Sequence, residues 1–292
     1  MKNRYTFGGD EHLFVECDEE MSLNPFFKGL SLTEAIKKEE IEGITEICPA
    51  NASFQIKFNP DIIHPDDLLR KIKSIDTSIS SNINKVINTR IVEIPVLYND
   101  PWTHETLMRF RDRHQNPEGT DLDYAAEINN YKTVNDFIEA HSSNPWFVTM
   151  VGFVAGLPFM YQMVDREQQI QVPKYLRPRT DTPKLTLGHG GCFACIYSVK
   201  GAGGYQMFGV TPLPIYDPTQ TVEYLKDFMV FFRPGDIVKF RPIDLPEYEQ
   251  IVDDIEKNIF KPKIKNVVFN LEEYNKDIAA YNDNLVKTIS ND

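Results

Sequence analysis

Cysteine is scarce in this sequence: the 292 residues contain only Cys17, Cys48, Cys192 and Cys195. Four scattered cysteines are too few for a disulfide scaffold, and a chain of this length buries enough surface to fold without one. No stretch approaches the roughly 18 consecutive apolar residues of a transmembrane helix. The first residues also lack the apolar segment and cleavage site of a secretory signal, so we expect a cytoplasmic protein.

Positive charge is limited as well. The chain has 31 lysines and arginines against 43 aspartates and glutamates, which gives a formal net charge of −12, and no run of basic residues exceeds two. An acidic surface of this kind disfavours non-specific binding to nucleic acid or to anionic membranes. The apolar share of 41% and the charged share of 25% are ordinary for a globular protein and exclude a disordered chain.

Residues 1–88 predict a small α+β domain. The predicted elements, in chain order, are a hairpin of residues 5–7 and 13–17, a helix opened by the capping box Ser31–Glu34, strands 44–48 and 53–58, a helix from Pro65 and a strand 90–98. The order β-α-β-β-α-β is typical of a ferredoxin-like fold. Residues 82–88 are mostly polar and are the predicted linker.

Residues 89–245 predict a second domain built mainly of strands. Two short helices are expected at 121–128 and 133–141, the second with Thr133 as N-cap and Asp136 three positions later. Short β-rich runs separated by glycine and proline follow at 146–152, 193–198, 205–210 and 237–241. This spacing predicts an antiparallel barrel or sandwich. Residues 246–292 are expected to form a C-terminal extension, with an amphipathic helix over 271–289.

Two glycine clusters, at 188–191 and 201–204, are candidate functional segments. Glycine lets a backbone approach a ligand closely and present N–H donors to a developing oxyanion. The alternative is that both clusters are turns between strands. His189, inside the first cluster, is a candidate for proton transfer or a structural histidine.

Other candidates are the basic pair Arg177 and Arg179 and the apolar loop 156–161. The pair could bind a carboxylate or bicarbonate-like group through bidentate hydrogen bonds, or it could be a surface loop paired with acids. The loop could wall an apolar pocket or cover a core. Cys192 and Cys195 have CxxC spacing, but a strand points residues three apart to opposite faces. We therefore expect buried structural cysteines, with no metal and no disulfide.

A series of segments, taken in order, resembles one family. They are FVAGLPFMY at 153–161, VPKY at 172–175, RTDTP at 179–183, GGCFACIY at 190–197, GGYQ at 203–206 and GVTP at 209–212, with YTFGGD at 5–10, LFVE at 13–16, CPAN at 48–51, FFRPGD at 231–236 and VKFR at 238–241. They resemble the second half of the carboxyltransferase domain of urea carboxylase, which is similar to allophanate hydrolase subunit 1 and to the B subunit of 5-oxoprolinase. The tail FNLEEYN at 269–275 resembles the segment that follows the barrel in urea carboxylase.

The resemblance implies an α+β fold, with a small ferredoxin-like N-terminal domain, a cyclophilin-like antiparallel β-barrel and a C-terminal helical tail. The chain departs from the family at Val210, where an arginine is usual, and at Lys200–Ala202, where a glutamate and a proline commonly precede the paired glycines. It also has no Met-Lys-Met-like biotinylation site and no ATP-binding segment.

The function implied is that of a carboxyltransferase subunit, which moves CO2 from carboxybiotin on a separate carrier to a small amide- or guanidine-type nitrogen. Its partners would be the second carboxyltransferase half, a biotin carrier and a biotin carboxylase. Two alternatives stand beside it. One is a subunit of an ATP-dependent amidohydrolase complex of the 5-oxoprolinase or allophanate hydrolase type, and the other is a binding protein similar to a sporulation kinase inhibitor.

By motif position, the resemblance implies catalytic roles for Lys200, Tyr205, Gln206 and His189. Substrate or biotin binding is implied for a larger group: Gly190, Gly191, Tyr197, Gly203, Gly204, Phe159, Tyr161 and Arg179. We therefore expect the working surface at the two glycine clusters, walled by residues 153–161.

Overall fold

The apolar residues of the chain collect in separate cores, which belong to two units. The computed structural model describes residues 2–79 and 83–290. Unit 1 comprises the residues up to Ile87 together with Phe269–Glu272, and unit 2 comprises Asn88–Val268 with the residues from Glu273 onward. Within the described ranges no helix combines the length and apolar character needed to cross a membrane. Both units combine helices and strands, so the predicted α+β class is confirmed at that level.

Unit 1 is built on a four-stranded antiparallel sheet. Its elements are β1 (Arg4–Gly8), β2 (His12–Glu16), α1 (Leu23–Lys38), β3 (Ile44–Pro49), β4 (Ser53–Phe58) and α2 (Pro65–Ile79). The strands lie in the order β1-β2-β4-β3. Alternate strand residues such as Val15 and Ile56 are fully buried against Leu32 of α1 and Ile72 of α2. The two helices therefore cover one face of this sheet.

The capping box predicted at Ser31 is wrong. Helix α1 begins at Leu23, and Ser31 is buried inside it, where its hydroxyl accepts a hydrogen bond of 3.0 Å from the Asn84 N–H. Pro25 falls in the first turn of α1, a position that proline tolerates because no intrahelical bond is lost there. The two-residue capping pattern at Ser31 therefore did not mark the start of the helix, because the apolar face that α1 buries begins upstream of it.

The predicted β-α-β-β-α-β order also fails, at its last strand. The strand that follows α2 is β5 (Val86–Tyr98), which belongs to the large sheet, while β1 takes an edge of the small one. The burial of β5 explains this choice, because its second half is buried on both faces and so suits a central position. Of the predicted linker, Asn82 lies outside the described residues and residues 86–88 belong to β5.

Unit 2 contains most of an eight-stranded sheet. Its further strands are β6 (Trp146–Val151), β7 (Pro158–Gln162), β8 (Arg179–Thr182), β9 (Thr186–Gly190), β10 (Phe193–Ile196), β11 (Gly201–Gly203), β12 (Gln206–Val210), β13 (Ile237–Pro242) and β14 (Ile264–Asn270). The order is β12-β9-β10-β7-β6-β13-β5-β14, with a further pairing of β12 to β5, and β8 pairs with β11 separately. The expectation of antiparallel pairing is wrong at one place, because β13 runs parallel to β5. A parallel pair needs a long crossover, which the chain between these strands supplies.

The helices of this part of the chain are partly as expected. They are α3 (Pro101–Phe110), α4 (Asp121–Ile128), α5 (Val134–Ser143), α6 (Leu245–Glu256), α7 (Leu271–Lys276) and α8 (Ile278–Ser290). The α5 cap is confirmed, because the Thr133 hydroxyl accepts from the Asp136 N–H at 3.1 Å. The single helix predicted over 271–289 is two helices, since Asp277 accepts from the Ala280 N–H at 2.9 Å and opens α8.

A short C-terminal segment completes unit 1. The Phe269 ring stacks on Phe27 with centroids 5.7 Å apart, and both rings are fully buried. The Leu271 N–H donates to the Lys85 carbonyl at 2.8 Å, and the Glu272 carboxylate lies 2.6 Å from the Lys85 ammonium. Residues that are distant in sequence therefore close the core of this unit.

Candidate active site

A cavity of about 400 Å³ lies in unit 2, where several motif segments meet. Its lining is mostly aromatic and apolar: Phe153, Leu157, Phe159, Lys174, Tyr175, Pro178, Cys195, Tyr197, Ala202, Gly203, Gly204 and Tyr205. Segments 153–161 and 203–205, which we expected to wall a common surface, are thus brought together. Such a cavity, apolar with a few polar groups, is the usual form of a small-molecule site.

Five of the predicted site residues line this cavity: Phe159, Tyr197, Gly203, Gly204 and Tyr205. The others lie outside its lining: Lys200, Gln206, His189, Gly190, Gly191, Tyr161 and Arg179. Lys174 and Tyr175 line the cavity although the sequence motifs implied no role for them. The VPKY motif at 172–175 was the available signal for both.

The glycines of the two clusters make room for tyrosine rings. A Cβ on Gly203 would lie 2.6 Å from the Tyr197 Cε1, and a Cβ on Gly190 would lie 2.5 Å from the Tyr205 Cε1. Gly190 also lies in β9, where it pairs with Phe193 of β10. At these two positions glycine therefore permits the close approach of a tyrosine ring, and the role of the backbone N–H groups as oxyanion donors stays a prediction.

Tyr205 forms one wall of the cavity together with its neighbours. Its ring lies edge-to-face with Phe159 at a centroid distance of 6.2 Å, and the Lys174 ammonium lies 5.4 Å from the ring centroid. Lys174 is exposed, so it brings a positive charge to the rim of the cavity. Burial raises the pKa of the Tyr205 hydroxyl, which keeps it protonated and able to donate a hydrogen bond.

The basic pair is divided between two environments. Arg177 is exposed and bonds to Asp112 at 2.9 Å, whereas Arg179 is fully buried. The Arg179 guanidinium lies over the Tyr175 ring with its Cζ 4.3 Å from the centroid, and its Nε is 3.3 Å from the Thr182 hydroxyl. Among the residues that the structure describes, none accepts a hydrogen bond from either terminal nitrogen of Arg179.

A polar network supports the segment that carries Lys174 and Tyr175. The Tyr175 hydroxyl donates to Asp121 Oδ1 at 2.6 Å, and the Met207 N–H donates to Asp121 Oδ2 at 2.5 Å. Gln206 is fully buried, and its Nε2 donates to the Pro173 carbonyl at 2.9 Å. Gln206 therefore holds this segment in place, and the catalytic role implied for it stays a prediction.

His189 lies in the aromatic core. Its ring is within 6 Å of the Trp146, Phe208 and His141 rings, with centroid distances of 5.6, 5.7 and 5.8 Å, and its Nε2 donates to the Ile170 carbonyl at 3.2 Å. Burial lowers the pKa of His189 to about 4. The structural role considered for this histidine therefore fits its position.

The buried histidines make the stability of unit 2 sensitive to acid. The unfolded chain takes up a proton near the ordinary pKa of about 6.5, while folded His189 resists it down to a pKa of about 4. The contribution of neutral His189 to the free energy of unfolding is therefore fully present above pH 6.5 and is lost as the pH falls toward 4. We expect the free energy of unfolding to drop by about 2 kcal/mol from this group between pH 7 and pH 5. Urea melts at several pH values measure it, and His189→Gln should give a shallower profile. Equal profiles would contradict the assignment.

Two further expectations can be placed. Lys200 is exposed, with its ammonium 3.4 Å from Asp181, and it does not line the cavity. Cys192 and Cys195 are free thiols, but only Cys195 is buried, and burial raises its pKa. Within residues 2–79 and 83–290 no group of histidine, cysteine or acidic side chains is assembled as a metal site would require.

Comparison with known proteins identifies the family. Residues 3–225 match the family model "Carboxyltransferase domain, subdomain C and D". The chain belongs to this family. The matched range includes every residue that lines the cavity.

Two kinds of relative share this carboxyltransferase region. The chain is 26% identical to urea amidolyase of Saccharomyces cerevisiae over 96% of its own length and 15% of that protein. It is 27% identical to the B subunit of 5-oxoprolinase from Bacillus subtilis over 82% of its length and 92% of that protein. The crystal structure of Kluyveromyces lactis urea carboxylase superposes on 97% of the chain with a TM-score of 0.85 and 25% identity, and the match covers 25% of that chain. The chain thus spans only a small part of the urea amidolyases it matches.

Val210, where the resemblance implied an arginine, is buried at the end of β12. It pairs with Leu97 of β5 and Thr186 of β9 and does not line the cavity.

Proposed function

We propose that this chain is one half of a carboxyltransferase site, which transfers a carboxyl group from carboxybiotin on a separate carrier to a small amide- or guanidine-type nitrogen. The observation that carries the proposal is the aromatic cavity, with the Lys174 ammonium near the Tyr205 ring and the Arg179 guanidinium packed on Tyr175, both rings being part of the lining. Phe159 and Tyr205 supply flat apolar walls, while Lys174 and Arg179 supply positive charge. A flat ring bearing a carboxylate fits this combination.

Carboxybiotin, when bound, supplies an activated carboxyl group on a planar ureido ring. The chain's own residues have simpler tasks. The aromatic walls bind the ring and exclude water, and the hydroxyls of Tyr197 and Tyr205, both kept protonated by burial, donate hydrogen bonds to oxygens of the reacting group. Gln206 and Asp121 hold the Lys174–Tyr175 segment in place.

We also propose a ferredoxin-like fold for unit 1 and a cyclophilin-like barrel for unit 2. The order β1-β2-β4-β3 with helices on one face supports a ferredoxin-like unit 1 in which β1 occupies the edge of the usual last strand. The pairing of β12 with both β9 and β5 supports a closed, cyclophilin-like barrel in unit 2. A cyclophilin-like barrel implies nothing about prolyl isomerase activity, because function depends on the site rather than on the fold.

Partners follow from the length of the relatives. The match covers 15% of the S. cerevisiae urea amidolyase, so the remaining parts of such a system would be supplied by other chains or segments. The proposal names these partners as the other carboxyltransferase half, a biotin carrier and a biotin carboxylase.

Reconstitution tests the proposal. The chain is co-expressed with the other carboxyltransferase half, and the purified pair is given carboxybiotin carrier with urea or with guanidine. We expect a stable hetero-oligomer by light scattering and carboxylation of one of these substrates. A strictly monomeric chain that ignores the partner, or a stable pair without transfer to any such nitrogen, would contradict the proposal.

The second candidate is a subunit of an ATP-dependent 5-oxoprolinase-type complex. It is favoured by the match over 92% of the B. subtilis 5-oxoprolinase protein. The first candidate accounts for more of this chain, since 96% of its length aligns with urea amidolyase against 82% with the 5-oxoprolinase protein. ATP-dependent opening of 5-oxoproline by the reconstituted pair, without any need for biotin, would select the second candidate.

A further inference from the structure

Arg179 in unit 2 is buried to an extent that is unusual for a charged side chain. It is a fully buried guanidinium, and no residue in the described ranges accepts a hydrogen bond from its two terminal nitrogens. A buried charge without a partner is strongly unfavourable, so proteins normally pair such groups or use them. The candidates for a partner are Asp181 on the same strand, Asp112 at Arg177 and Asp121 at Tyr175.

The neighbouring acids are committed elsewhere. Asp181, two positions along β8, lies 2.9 Å from Arg109 and 3.4 Å from Lys200. Asp112 is bonded to Arg177. Neither carboxylate is therefore available to neutralise Arg179.

Asp121 is held at a distance by an intervening ring. Arg179 lies over the face of Tyr175, and the Tyr175 hydroxyl donates to Asp121. Asp121 accepts a second hydrogen bond from the Met207 N–H, so both of its oxygens are occupied. The face of the Tyr175 ring thus stabilises the guanidinium, while its terminal N–H groups have no acceptor in the part of the chain that the structure describes.

The position of Arg179 connects it with the cavity. The flanking Pro178 lines the cavity, and so does Gly203, which lies directly opposite Arg179 in the β8–β11 pairing. Tyr175, beneath the guanidinium, and Tyr197 line it as well. The positive charge of Arg179 opposes the rise in the Tyr197 pKa that burial causes, so the two side chains are electrostatic neighbours.

We propose that the cavity binds an anion, a carboxylate carried on a flat amide- or urea-type group, with the Tyr197 hydroxyl as its hydrogen-bond donor and Arg179 as the buried charge that selects it. The inference rests on the proposed function for the identity of the site and extends it to the charge of the ligand. Arg179 acts here as a positioning residue, since its field reaches the ligand through Tyr197 and Tyr175. The carboxylate of carboxybiotin and that of an N-carboxylated product both have this chemistry.

The test compares two flat probes of nearly equal shape, oxamate and its neutral diamide oxamide, by calorimetric titration of the full chain. We expect oxamate to bind about tenfold more tightly or better, the ratio that one charge-assisted contact supplies. In Arg179→Met the ratio should fall to near one, and Arg179→Lys should restore part of it. Arg177→Met removes an exposed charge two positions away and should leave the ratio unchanged.

Folding is monitored by thermal melts. Arg179→Met also removes the packing of the guanidinium over Tyr175 and the Nε contact with Thr182, so the melt shows whether the variant is folded at the temperature of the titration. If it fails to fold, Tyr197→Phe decides instead: it should weaken oxamate binding while oxamide binding stays the same. Equal binding of the two probes by the wild type, or a ratio unaffected by Arg179→Met, would overturn the inference.

The outcomes separate this inference from the proposed function. Charge-selective binding that depends on Arg179, in a reconstituted pair that transfers no carboxyl group, keeps the anion site and removes the carboxyltransferase. Carboxyl transfer by a chain that does not distinguish oxamate from oxamide keeps the carboxyltransferase and removes the anion site.

Discussion

Gly203→Ala is expected to lower carboxyl transfer by about 100-fold while the protein remains folded. The added Cβ would lie 2.6 Å from the Tyr197 Cε1 and closer still to its hydroxyl oxygen, both far too close. Because these atoms belong to the outer end of a side chain beside a cavity, Tyr197 can give way by moving into that cavity. Its hydroxyl then leaves its position, and a displacement of about 1 Å at a reacting group is enough for a loss of this size.

Gly201 offers a matched control on the same strand. A Cβ there meets nothing within 4 Å, so Gly201→Ala should transfer and melt like the wild type. Both variants are assayed for transfer from carboxybiotin carrier in the reconstituted pair and for thermal unfolding. Normal transfer by Gly203→Ala at an unchanged melting temperature would place the active site elsewhere.

Gly209→Ala is expected to act on stability instead. A Cβ at Gly209 would lie 2.5 Å from the Leu97 carbonyl oxygen and 2.9 Å from the Tyr98 Cα. These are backbone atoms of β5, the strand that pairs with Gly209, and they cannot rotate away. We expect a loss of about 3 kcal/mol, at the upper end of overpacking effects. This corresponds to a melting temperature about 6–12 °C lower for a unit of this size.

Gly204→Ala is the comparison for Gly209→Ala. Its nearest neighbours would be at 3.7 and 3.8 Å, which is ordinary van der Waals contact. Differential scanning calorimetry of the two variants should show a clear shift for Gly209→Ala and little for Gly204→Ala. Similar melting temperatures would mean that β12 and β5 separate easily, against the pairing described.

Local signals in the sequence predicted local structure well. The cap formed by Thr133 and Asp136 placed α5, and the alternation of Phe54, Ile56 and Phe58 placed β4 at its observed bounds. Both depend on residues a few positions apart, whose interactions hardly change with the rest of the fold. Helices α3 and α6 were missed although each begins with an N-cap aspartate, Asp100 or Asp244, followed closely by proline.

Local sequence signals did not predict which strands pair with each other over long distances in the sequence. The burial of β5 on both faces suits a central strand of the large sheet, but its own pattern does not show which strands flank it or that β1 takes the edge of the small sheet. The parallel pairing of β13 with β5 likewise depends on a crossover through the whole of unit 2. The destination of a strand is a property of the complete chain.

The motif segments predicted where the cavity is, but not which side chains enter it. Gln206 lies opposite His189 in the β12–β9 pairing, and both side chains are buried, while Tyr205 reaches the cavity from just before the strand. A register shift between Met207 and Gly209 changes which face each residue presents. Sequence spacing alone cannot anticipate such a shift, because one residue of slip reverses every side chain.

The closure of unit 1 by Phe269–Glu272 has a consequence for synthesis. Although most of this unit is translated before unit 2, the ring that stacks on Phe27 is made only after Asn88–Val268 of unit 2. Until then the apolar surface around Phe27 lacks the ring that covers it, although most of unit 2 has already been synthesised. Nascent chains halted before and after this segment should differ sharply in protease resistance of unit 1, so the order of birth and the order of folding are not the same.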